Sequence, residues 1–153
     1  MTTKRRPRSG RRPALAICAA GLLAASLGAQ DAAVVASDAW VRVPPPSRDQ
    51  TALFVVLENR SDQPRAVVSA STDAAERAEL HEMKRENGMM RMNPVKEIGI
   101  PAKGKTALAP GGLHVMLFGL KTRPAAGDAV TVTLKLDDGS TVPVKATARA
   151  AEQ

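Results

Sequence analysis

Both histidines and every methionine except the initiator fall in one stretch of the chain: His81, Met83, Met89, Met90, Met92, His114 and Met116. The spacing repeats itself, because His81 and Met83 are separated by one residue and so are His114 and Met116. On an extended strand, residues two apart point to the same side, so each segment can present an imidazole and a thioether together. Met90 and Met92 share a face in the same way. Thioether sulfur is soft and uncharged, while imidazole accepts copper in either oxidation state, so this set favours Cu(I) over Zn(II) or hard ions. A blue-copper centre needs a thiolate beside two histidines, and the single cysteine, Cys18, lies far from this stretch. A hydrolytic Zn(II) site would need a carboxylate ligand and an open water position, where this pattern offers methionines. No nucleophile and base are paired, so an enzyme is not expected. Met89 and Met90 are expected to fill packing gaps, a common use of methionine. Met83 stands open between packing and an outer ligand. Trp40 is expected in the core.

Short strands must position these side chains, since no amphipathic run is long enough for a helix. Ala78 to Lys84 and Met89 to Pro94 flank Glu86-Asn87-Gly88, and Asn-Gly is the strongest short hairpin signal. The hairpin sets Met92 beside the strand of His81. Leu113 to Leu120 is a strongly apolar strand carrying His114 and Met116, preceded by Thr106 to Leu108 and Pro110-Gly111-Gly112. Thr51 to Glu58 and Arg65 to Ser71 are expected to form a second hairpin across Asn59 to Asp62. Val130 to Leu136 and Thr141 to Ala148 form a third across Asp138-Gly139. Ala74 to Ala78 stands open as strand or a single helical turn. About eight strands at this spacing predict an all-β, antiparallel Greek-key sandwich or barrel of the immunoglobulin or cupredoxin kind. With three aromatic residues in the chain, the core must be aliphatic. Glu82, Lys84, Arg85 and Glu86 read as a solvated hairpin surface.

Residues 1–29 read as an export signal. Six basic residues, Lys4, Arg5, Arg6, Arg8, Arg11 and Arg12, precede the apolar run Ala14 to Leu27, and small residues follow at Ser26 to Ala29. The run is shorter than the roughly 20 residues of a spanning helix, so no membrane insertion is expected after cleavage near residues 28–29. Arg11-Arg12 hints at twin-arginine export, although Pro13 and Ala14 stand where that signal has a bulkier apolar pattern. Too few apolar residues precede Cys18 for a lipoprotein anchor. The signal holds six of the 22 basic residues and none of the 15 acidic ones. The remaining domain, residues 30–153 with its core at about 35–148, is thus nearly neutral, which excludes the basic footprint that nucleic-acid binding needs.

His81, Met92, His114 and Met116 enclose ten, twenty-one and one residues in turn. That spacing resembles the motif of the periplasmic copper chaperones called PCu(A)C at all four positions. AELHEM, ENGMMRM and PGGLHVMLFGL are similar to the family's flanking text, and the resemblance covers about residues 35–148. It implies a cupredoxin-like β-barrel holding one Cu(I) per chain through His81, Met92, His114 and Met116. It also implies a periplasmic protein that delivers the ion to copper sites such as those of cytochrome c oxidase, alongside Sco-type proteins; a monomer is expected. A periplasmic sequestration or resistance protein would use the same ligands without delivery. Residues 148–153 lack His and Met, so one site is expected, without the tail-borne second site of some members.

Overall fold

The computed structural model describes residues 32–150, together with the isolated Thr2. The expected export signal and Cys18 lie outside the described residues. Ten strands follow one another: β1 (Val34–Arg42), β2 (Gln50–Asn59), β3 (Arg65–Ser71), β4 (Ala75–Glu86), β5 (Met89–Pro94), β6 (Ile98–Ile100), β7 (Lys105–Leu108), β8 (Leu113–Leu120), β9 (Ala129–Leu136) and β10 (Thr141–Arg149). They hydrogen-bond in the order β5-β4-β8-β2-β1-β10-β9-β3-β6, with β7 on β2. The class is all-β, as expected, and the pairings are antiparallel except that of β1 with β10, which is parallel because it joins the two ends of the domain. The region from Ala75 to Ala78 is strand, not helix.

Alternation drives the assembly. β10 buries every second residue, and Val142, Val144, Ala146 and Ala148 meet Val130, Val132, Leu134 and Leu136 of β9. Val41, Leu53, Val55, Leu57, Leu80, Val115 and Leu117 come from the other half of the sheet and join the same buried cluster. Each fully buried Val or Leu contributes roughly 1.5–3 kcal/mol. The cluster consists of Val, Leu, Ile and Ala alone. Trp40 does not join it: the ring is half-buried and stacks on Phe54 with centroids 4.5 Å apart. Trp40 and Phe54 sit at even positions facing away from Val41, Leu53 and Val55, so a large apolar ring here serves the opposite face of the sheet.

The expected hairpin of β2 with β3 does not form. β2 pairs with β1 on one edge and with β7 and β8 on the other, whereas β3 pairs with β6 and β9. The reason lies in Asn59, which is buried and folds the connection as an arch between the two halves. Its Nδ2 donates to the carbonyls of Gln63 and Ile100, and its Oδ1 accepts from Ser61. The other two hairpins form as expected, with Val142 opposite Leu134 and Met83 opposite Met92. Asn87 and Gly88 at the β4–β5 tip have φ of 51° and 80°, the left-handed pair that the tightest hairpin turns require.

Candidate metal centre

Three neighbouring strands, β5, β4 and β8, carry all the chemistry-bearing residues. In the β4–β8 register His81 lies directly opposite His114, and Glu79 opposite Met116. Directly opposed residues of an antiparallel pair share a face, and Met83 opposite Met92 extends the same face onto β5. Leu80, Val115 and Leu117 point the other way, into the core. The candidate site therefore lies on the outer side of the sheet, with the aliphatic core behind it.

Outward-facing residues are normally wet, yet His81, His114 and Met116 are only 7%, 4% and 5% exposed. His81 is flanked by the rings of His114 and Phe118, each 5.9 Å away, and two loops cover His114 and Met116. The connection from β1 to β2 brings Pro44 and Pro45 over the face, and the turn between β7 and β8 brings Pro110 and Gly111. β7 and β8 follow one another along the same edge of β2, and the chain leaves that edge between Leu108 and Leu113. Gly111 has φ of 82°, a conformation that glycine adopts at no steric cost. The Gly112 carbonyl then accepts from both the Met83 backbone N–H and the His114 Nδ1–H, at 3.0 Å each.

Together these walls enclose an open cavity of about 400 Å³, lined by Met83, Met92, His114 and Met116 with Phe54 and Arg42 among the rest. The structure thus gathers three of the four sequence-predicted ligands, Met92, His114 and Met116, around one space, and adds Met83. His81 does not line that space. Its ring stands beside the His114 ring, centroids 5.9 Å apart and planes at 50°. Met92 is 46% exposed, at the cavity mouth. Met89 and Met90, expected as packing residues, are 57% and 49% exposed on the projecting hairpin, because β5 pairs with β4 alone and has no layer to pack against.

Each imidazole is held by one nitrogen. The His114 Nδ1–H donates to a carbonyl, which can only accept, so the neutral ring carries its lone pair on Nε2. His81 Nε2–H donates to the Glu79 carboxylate at 3.0 Å, and the opposite nitrogen, Nδ1, is buried without a hydrogen-bond partner. Burial, together with the positive potential of His81 and Arg42, pushes the His114 pKa down against the opposing pull of the Gly112 carbonyl, favouring the neutral ring. The hydrogen bonds from His81 and Arg77 hold the Glu79 carboxyl below its usual range, so it stays an ionised acceptor. A pinned N–H on a carboxylate or carbonyl with a free lone pair opposite is the usual arrangement of a metal-ligating histidine. Among the described residues no three His, Cys, Asp or Glu are grouped to hold a metal ion, and the soft donors beside His114 in the cavity wall are the thioethers of Met83, Met92 and Met116. Glu79 is not among the sequence-predicted site residues, although its position two before His81 places it on the same face.

The model of the "Putative lipoprotein LpqE-like" family matches residues 34–148. A protein of Leifsonia xyli subsp. xyli (strain CTCB07) named "Putative lipoprotein Lxx21020" is 41% identical over 118 residues, 76% of this chain and 70% of its own length. The solution structure of CuI-DR1885 from Deinococcus radiodurans is 40% identical, covering 82% of this chain and 85% of its own, with a TM-score of 0.63. The copper-bound PCuAC domain from PmoF2, 20% identical, covers 78% of this chain and 94% of its own at a TM-score of 0.66, and shows the fold alone. With its whole ten-stranded domain matched, this chain belongs to the LpqE-like family and has the cupredoxin-like fold of PCuAC domains.

Proposed function

We propose that this chain is an exported Cu(I) metallochaperone that binds one Cu(I) per chain through His81, Met92, His114 and Met116 and passes it to copper sites such as those of cytochrome c oxidase. The observation that carries the reading is the pair of imidazoles, each pinned through one nitrogen with the other lone pair free, on the face that bears Met92 and Met116. A metal–nitrogen bond of about 2 Å puts a ring centroid about 3 Å from the ion, so two imidazoles on one ion have centroids up to about 6 Å apart. The separation of 5.9 Å lies within that linear limit and about 1 Å beyond the roughly 5 Å of a tetrahedral site, so the two rings close slightly on the ion when it binds. A relative adds support, since DR1885, 40% identical to this chain, was solved with CuI.

Delivery is favoured over sequestration by the unequal burial of the ligands. Three are almost closed off, while Met92 is 46% exposed on a hairpin that projects from the domain. An acceptor ligand can replace this thioether first and draw the ion out stepwise. Two uncharged sulfur and two neutral nitrogen donors leave the single charge of Cu(I) uncompensated, which suits transfer to a thiolate-bearing partner better than permanent storage.

Export rests on residues 1–29, read as a signal cleaved near residues 28–29 into the periplasm, and is supported by the lipoprotein names of the family and of the Leifsonia relative. Transfer is the test. The Cu(I)-loaded chain is mixed anaerobically with the soluble copper domain of cytochrome c oxidase subunit II, and the metal content of each is measured after separation. Movement of the ion onto the oxidase domain is the expected result. Retention of the ion by this chain would leave the sequestration reading in its place.

A further inference from the structure

The arginines of the domain fall into two sets. Arg60, Arg65, Arg77 and Arg91 each have a carboxylate at 2.8 to 3.8 Å. Arg42, Arg48, Arg85, Arg123 and Arg149 make no ion pair among the described residues. These five are scattered along the chain, yet the fold sets two of them in the wall of one cavity and each of the other three beside a residue that lines it.

Arg42 and Arg48 line the metal cavity. Arg149 of β10 is the direct partner of Arg42 in the parallel β1–β10 register. The two guanidiniums lie over Phe54 and Trp40 at 5.7 and 5.8 Å, flanking the stacked rings. Arg123 donates to the carbonyls of Pro46 and Arg48, in the loop that walls the cavity. Arg85 lies opposite Met90, on the face of Met83 and one step nearer the hairpin tip. Asp49, next to Arg48, makes no ion pair with it.

Placing like charges directly opposite one another is unfavourable, and Arg42 and Arg149 stand so with no carboxylate between them. The chain does not lack carboxylates: Glu58, Glu79, Glu82 and Glu86 are all engaged in ion pairs with other cations, even where Glu86 adjoins Arg85. The cations are therefore left open by placement, not by excess. A cavity of about 400 Å³ with Val43, Pro44 and Phe54 in its walls also exceeds the needs of one ion. Its shape admits side chains of a partner, whereas the flat plane of a bilayer would leave it unfilled.

We propose that these five arginines form a docking rim for an acidic segment of the protein that exchanges Cu(I) with this chain, whose metal-binding side chain enters the cavity between them. The inference rests on the copper-carrier reading above. The rim draws the partner's carboxylates together from solution, which raises the rate of encounter more than the final affinity. The ion then moves without change of oxidation state.

The test uses two synthetic peptides with the same Met-x-x-Met core, one flanked by glutamates and the other by glutamines. Cu(I) transfer from the loaded exported chain to each is followed anaerobically at low and high salt. The acidic peptide should be loaded about tenfold faster at low salt, and added salt should erase the advantage. In the Arg48→Gln/Arg149→Gln variant that advantage should fall about three- to tenfold. Equal rates for the two peptides, or an advantage unchanged in the variant, would overturn the proposal. So would binding to phosphatidylglycerol vesicles that the variant loses while its peptide preference stays intact, since that result assigns the rim to a lipid surface. Chelator competition on the same samples separates the two levels, because a wild type that holds no Cu(I) refutes the copper reading itself.

Discussion

His81 and His114 stand directly opposite each other on β4 and β8, their rings 5.9 Å apart, and each is anchored through a different nitrogen. Nε2 of His81 is held by Glu79, and Nδ1 of His114 by the Gly112 carbonyl. One anchor is a side chain and can be changed; the other is backbone and cannot. Glu79→Gln replaces an ionised acceptor by a neutral one and loosens the His81 ring without touching a proposed ligand. Loss of such a support typically weakens metal binding about 10- to 100-fold. Chelator competition should show weaker Cu(I) binding with the stoichiometry preserved. An unchanged affinity would mean that His81 is not a ligand.

The β4–β5 hairpin holds Met92 in place through a turn whose Gly88 has φ of 80° with open space around its Cα. Gly88→Val meets no clash, so its cost is conformational, about 1–3 kcal/mol for a side chain forced into this region. The denaturation midpoint should fall accordingly, and Cu(I) affinity should fall with it as Met92 loses its register opposite Met83. A fully retained affinity would detach the hairpin from the site.

His114 supplies a pH dependence for the metal-free chain. Its folded-state pKa lies below the ordinary 6.5, so the unfolded chain takes up a proton before the folded one does. The stabilising contribution is present above about pH 6.5 and is lost as the pH falls towards the folded pKa. Urea midpoints should drop between pH 7.5 and pH 5 in the wild type, and drop less in His114→Gln.

The amino-terminal reading is open to mass spectrometry of the exported protein. A mature chain beginning near Ala29 or Gln30 is expected. An acylated Cys18 at the new terminus would instead make the protein a membrane-tethered carrier, in keeping with the names of its relatives.

Local signals make the hairpins that carry the candidate site legible in the sequence. The alternation of β9 and β10 and the Asn87-Gly88 turn specify their own pairings, because register within a hairpin is set by adjacent residues. The β1–β10 pairing joins opposite ends of the domain, which no local pattern announces. β1 itself was obscured by the irregularity between Ser37 and Trp40, where Asp38 has φ of 51°. The β2–β3 pairing was misjudged because a run of Asn, Ser and Asp reads as a turn whether it closes a hairpin or an arch. Trp40 was misplaced for a different reason. Ring size suggests a core, but Trp40, Phe54 and Phe118, all the aromatics of the chain, lie on the outer face beside the histidines. The His and Met spacing pointed to a shared face, which β5, β4 and β8 provide. It gave no hint that His114 would line the cavity while His81, its direct partner, would not.

The central claim is most directly tested by anaerobic titration of the exported domain with Cu(I) against a chromophoric Cu(I) chelator, with Met92→Ala and His114→Ala in parallel. One equivalent held against the chelator by the wild type, and weakened in both variants, is the predicted result. Failure of the wild type to compete, or binding indifferent to both substitutions, would contradict the proposed site and leave the domain to be understood through its arginine-rimmed cavity alone.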